Sequence, residues 1–122
     1  MKSCLQALRT LASALALYLK SNAQRTISIS SITGQKKVKI AFRALAKFHD
    51  SSLGYSLFSE ALASLLLKDT SWLKNVSWEV GLIENEAYLT IPLDFIKKFL
   101  NASEEEILKY LLDSGACRKA KH

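Results

Sequence analysis

The sequence predicts an α+β fold that is mostly α, with five helices, one short strand and a β-hairpin. Three observations carry this. Apolar residues recur every three or four positions over residues 3–23, 35–49, 56–68, 93–100 and 103–113, which is the helical period. Residues 26–32 (TISISSI) alternate hydroxyl and isoleucine side chains, which is the strand period. Two β-rich runs, 76–83 and 87–91, flank Glu84-Asn85-Glu86, a short turn signal of hairpin type. At 122 residues the chain is expected to form one domain, large enough to bury a core unaided.

The first helix, 3–23, reads as amphipathic: Leu5, Leu8, Leu11, Ala12, Leu15 and Leu19 share one face, and Gln6, Arg9, Ser13 and Lys20 share the other. Thr33-Gly34 ends the strand that follows. The second helix spans 35–49, and residues 50–55 (DSSLGY) form a turn. The third helix, 56–68, is apolar around much of its circumference and is placed centrally. Residues 69–75 connect it to the hairpin. Pro92 closes the second hairpin strand and opens the short helix 93–100. Ser103 and Glu106 have capping-box spacing, so the last helix starts at Ser103 and ends near Ser114-Gly115. Residues 116–122 form a basic tail.

Charge is distributed one-sidedly. Residues 1–49 hold nine basic side chains and no carboxylate, whereas residues 50–122 hold eight basic and eleven acidic ones. The stretch 50–115 is mildly acidic. A one-sided cationic field attracts a polyanion, nucleic acid above all. Wound as a helix, Lys36, Lys39, Arg43 and Lys47 fall within about an 80° arc, opposite Val38, Ala41, Phe42, Leu45 and Phe48. This face, with Lys37, is the candidate nucleic-acid-binding site, and Arg9, Lys20 and Arg25 are auxiliaries. Tyr55, on the adjoining turn, is the candidate for base stacking. Trp72 and Trp78 are read as core or rim packing, with stacking as the alternative.

No enzyme signature is present. His49-Asp50 lacks a nucleophile motif, and no glycine loop for phosphate occurs. Glu79, Glu84 and Glu86 are read as solvated hairpin acids, and His49 and His122 are too isolated for zinc. The expectation is a non-enzyme with no catalytic residue, no metal and no cofactor. Cys4 and Cys117 are read as two reduced thiols of a cytoplasmic or nucleoid-associated protein, with a disulfide as the alternative. Residues 1–23 also resemble a targeting segment, but their polar stripe favours a helix of the fold.

The order helix, short strand, helix, turn, helix, hairpin resembles the winged helix-turn-helix family over residues 3–91. The resemblance rests on element order alone. It implies a DNA-binding regulator whose third helix enters the major groove and whose hairpin is the wing. Helix 56–68 departs from that pattern, because Ser56, Ser59, Glu60, Ser64 and Lys68 are its only polar groups and it has no arginine, asparagine or glutamine for bidentate base contacts. DNA is therefore the expected partner, ahead of RNA, held by backbone neutralisation through the second helix. The second expectation is a non-catalytic small subunit of a nucleoprotein or protein complex. Residues 93–113 are read as core packing, with a homodimer or subunit contact as the alternative. A membrane surface ranks last, because Phe42 and Phe48 would be drawn out of the core.

Overall fold

The computed structural model describes residues 3–117, apart from the side chains of Ala23 and Lys68. It shows an α+β fold, mostly helical, in which helices pack around a long first helix and a three-stranded antiparallel sheet lies beside them. The basic tail beyond Cys117 lies outside the described residues.

Helix α1 spans Cys4–Thr33. Ser3 starts it: its Oγ accepts from the Gln6 amide at 3.2 Å, and Gln6 Oε1 accepts from the Ser3 amide at 2.8 Å. This reciprocal pair satisfies two otherwise orphaned donors. All seven residues from Thr10 to Ala16 are buried, so α1 is enclosed on every side there and is the central helix. Alanine and serine on the would-be polar face make that possible, since small side chains let neighbouring helices approach. Ala7, Leu8 and Leu19 join residues 10–16 in the core, whereas Leu5 and Leu17 are exposed.

The strand expected at 26–32 is instead the last part of α1, which runs unbroken to Thr33 and closes with the Gly34 amide donating to Ser30 O at 2.7 Å. The inward stripe continues from Leu15 and Leu19 to Ser30 at helical spacing. Polar side chains bond back to the preceding turn, Asn22 to Tyr18 O and Thr33 to Ile29 O. Period-two alternation over seven residues coincides by chance with hydroxyls falling on a helix stripe, and among the described residues no strand pairs with it.

The helix expected at 35–49 is corrected as well. Strand β1 spans Lys37–Ala41, and only Phe42–Ala46 is helical, as α2. Val38 and Ile40 face inward while Lys37 and Lys39 face solvent. These five residues fit the strand period, and β-branched Val38 and Ile40 suit a pleated surface.

A 3-10 turn over Ser51–Leu53, capped by Asp50, leads to helix α3, Phe58–Lys68. Phe58, Ala61, Leu62 and Leu65 form its inner face against α1. The connection expected at 69–75 contains a further short helix, α4, Ser71–Val76, which buries Trp72, Leu73 and Val76. The hairpin is built from β2, Glu79–Ile83, and β3, Glu86–Pro92. Glu84 and Asn85 both have positive φ, 51° and 71°, the handed turn that matches strand twist. β3 lies in the middle of the sheet, with β1 and β2 antiparallel on either side.

Helices α5, Leu93–Lys98, and α6, Glu104–Asp113, complete the core. Phe95, Ile96, Phe99, Ile107, Leu108 and Leu111 are all buried in it, whereas Leu100 is partly buried and Leu112 exposed. Ser103 caps α6 as its sequence signature requires: its Oγ accepts from the Glu106 amide at 3.2 Å, and Glu106 Oε1 accepts from the Ser103 amide at 2.8 Å. Ser103→Ala is expected to lower stability by about 1 kcal/mol, read from the urea midpoint at unchanged slope.

The two cysteines are not free thiols. Cys4 and Cys117, 113 positions apart, form a disulfide with Cα atoms 5.6 Å apart. Sequence spacing carries no information about this contact, because it depends on α6 returning to the start of α1.

Candidate nucleic-acid interface

Of the cations expected on the second helix, Lys37 and Lys39 are carried by strand β1 instead. In the sheet, Lys37, Lys39 and Ala41 of β1 alternate onto the outer face, as do Glu86, Tyr88, Thr90 and Pro92 of β3 and Glu79, Gly81 and Ile83 of β2. The register sets Lys39 and Glu79 on either side of Thr90, and Ala41 and Gly81 on either side of Tyr88. Lys36 precedes β1, where its carbonyl accepts from the Leu93 amide at 2.8 Å. Arg43 lies on α2, and Lys47 is its C-cap.

The hairpin brings carboxylates to this face. Lys37 Nζ lies 3.5 Å from Glu79 Oε2, and Arg43 Nη1 lies 2.9 Å from Glu86 Oε2. The other oxygen of Glu86 accepts from the Tyr88 hydroxyl at 3.1 Å. That hydrogen bond is the largest influence raising the Tyr88 pKa above its ordinary value. Among the described residues, Lys36, Lys39 and Lys47 form no ion pair, and all three are exposed. The single helical stripe is therefore replaced by a mixed patch. Three of its cations are unopposed and two are partly neutralised by exposed pairs, each worth at most about 1 kcal/mol. Sequence reading missed Glu79 and Glu86 as members of this patch. The available signal was the alternation of Lys37-Val38-Lys39-Ile40, which marks a strand able to pair with the hairpin.

The auxiliaries separate. Lys20 and Arg25 are exposed on α1. Arg9 is engaged elsewhere: its Nη1 lies 2.6 Å from Glu105 Oε2 and 3.3 Å from Glu104 Oε2, which ties α1 to the first turn of α6. The hydrogen bond to Glu105 is the main reason its pKa is raised. Tyr55 is not placed to stack on a base. It is buried, its hydroxyl donates to Ser64 Oγ at 3.0 Å, and its carbonyl lies 2.8 Å from His49 Nε2. Trp72 and Trp78 are buried too, in an aromatic row that continues through Phe95 to Phe99 and Tyr110. Phe42 and Phe48 are partly buried and pack against the core.

The chain matches no known family, characterised protein or solved structure with which it was compared.

The exposed side of α3 carries Ser59, Glu60, Ala63 and Leu67. None of these is an arginine, asparagine or glutamine, the side chains suited to bidentate base contacts. Among the described residues, no three His, Cys, Asp or Glu side chains gather at one point as a metal would require. No described helix is long and apolar enough to cross a membrane.

Proposed function

We propose that this chain is a nucleic-acid-binding protein, a DNA-binding regulator in its leading form, that contacts the phosphate backbone through the outer face of β1 and the adjoining α2. The observation that supports this best is the exposure of Lys36, Lys39 and Lys47 in one acid-free stretch, without an ion pair among the described residues. Phosphate contacts position a protein without reading sequence, so weak sequence preference follows. The order of elements, with a strand between the first two helices and a hairpin after the third and fourth, keeps the winged-helix resemblance as part of the proposal. Docking by the third helix is not part of it.

Titration of duplex DNA, single-stranded DNA and RNA across a salt series tests the reading. Three phosphate contacts give a slope of log affinity on log salt of about −2.7, and five give about −4.5. The wild-type slope is expected between these limits on duplex DNA. Lys36→Glu, Lys39→Glu and Lys47→Glu combined should abolish binding. Glu79→Gln with Glu86→Gln should tighten it and steepen the slope by up to about 1.8, because Lys37 and Arg43 lose their internal partners. Unchanged binding in the triple variant, or a slope near zero, would sink the proposal.

The second reading is a non-catalytic subunit of a larger complex. Leu67 and Leu82, 83 % and 74 % exposed, favour it, as does β2, whose five residues are all exposed. Under that reading the Lys→Glu triple variant keeps its partner, whereas Leu67→Lys with Leu82→Lys loses it.

A further inference from the structure

The disulfide joins two helix ends that local sequence already shapes. Cys4 is the first residue of α1, directly after the Ser3 cap. At the other end, α6 closes in the manner of a Schellman motif. The Ala116 amide donates to Leu111 O at 3.0 Å, and the Gly115 amide donates to Leu112 O at 3.0 Å. Gly115 takes φ 104°, which turns the chain back and seats Ala116 in the core. Cys117 follows with φ 61°, a region that residues with a Cβ rarely occupy. Such a conformation persists where the surroundings impose it. The residue so placed is the one bonded to Cys4.

The rest of α6 is held on α1 by independent contacts. Arg9 binds Glu104 and Glu105 at the start of the helix, and Ile107, Leu108 and Leu111 are buried along it. None of these needs the sulfur bond. Both cysteines are partly exposed rather than enclosed.

We infer that Cys4–Cys117 is a redox-sensitive clasp, which on reduction frees residues 115–117 from the start of α1 while α6 stays docked. The reductant is a dithiol. Its thiolate attacks one protein sulfur and forms a mixed disulfide, and the other protein sulfur leaves as a thiolate and takes up a proton. The second thiol of the reductant then displaces the first protein sulfur. The protein gains two electrons and two protons, and the reductant becomes a cyclic disulfide. The clasp is closed in oxidising surroundings and open in reducing ones.

The test uses the full chain in buffers of reduced and oxidised dithiothreitol. Alkylation followed by mass measurement counts thiols, and amide hydrogen exchange locates the opening. The oxidised monomer should take up no alkyl group, and the reduced one should take up two. Exchange at Gly115, Ala116 and Cys117 should quicken by about tenfold or more on reduction, while Ile107, Leu108 and Leu111 change much less. Cys4→Ser and, separately, Cys117→Ser should each exchange like the reduced wild type and ignore the reductant. Two free thiols in air-oxidised protein, a bond between chains, unchanged exchange at 115–117, or equal acceleration along all of α6 would each overturn the inference.

Discussion

Trp72→Ala is expected to lower the stability of this protein by about 3–5 kcal/mol, measured from the shift in urea midpoint. Trp72 is 2 % exposed and sits on α4, a helix of six residues. A helix so short has no stability of its own in water and is held by what it buries. Truncation removes the largest anchor and opens a cavity beside Trp78, whose ring lies edge-on at 6.0 Å. Trp72→Phe should cost well under half as much. The Trp72 indole N–H is buried without a hydrogen-bond partner among the described residues, and phenylalanine removes that donor while keeping a ring in place. A loss below about 1 kcal/mol in the alanine variant would mean that the aromatic row is not a pillar of the core.

Gly54→Ala is the second large effect, at about 2–3 kcal/mol. Gly54 holds φ at 119°, and an added Cβ would lie 2.6 Å from Gln6 Nε2. Gln6 is flexible, but its Oε1 is committed to the Ser3 amide at the start of α1. Relieving the clash therefore means giving up part of the α1 cap, worth about 1 kcal/mol. A double-mutant cycle with Gln6→Ala separates the two contributions. The cost of Gly54→Ala should fall in the Gln6→Ala background, where only backbone strain remains. Strict additivity would show that the turn and the α1 cap are not coupled.

The legible parts of the fold share one physical property: the deciding interaction is local. Ser103 and Glu106 are three residues apart and mark the start of α6 without help from the rest of the chain. Glu84-Asn85 closes the hairpin, Pro92 is the N-cap of α5, and Gly115 ends α6, all as their local chemistry requires. Two of the departures in secondary structure came from segments with ambiguous periods. Residues 26–32 alternate like a strand, yet they follow a helix that had already nucleated and lack a pairing partner. Residues 35–49 suit a helical wheel, but Lys37–Ala41 meets an open edge of β3, and pairing there overrides the helical reading.

The candidate site shows the same division. Which side chains are cationic, and that no carboxylate lies among them before Asp50, are facts of composition. That Lys37 meets Glu79 and Arg43 meets Glu86 required the strand to pair with the hairpin. Tyr55 stands on a turn, as its sequence indicated, but its exposure depended on His49 and Ser64, which close over it.

By itself the sequence determined the mostly helical α+β class, the caps and turns, and the charge boundary at Asp50, because each depends on neighbours within a few residues or on composition. Only the tertiary structure decided which cations stay unopposed, which aromatic residues are buried, and that Cys4 meets Cys117. Those outcomes depend on contacts between residues tens of positions apart, and such contacts exist only once the helices have packed around α1.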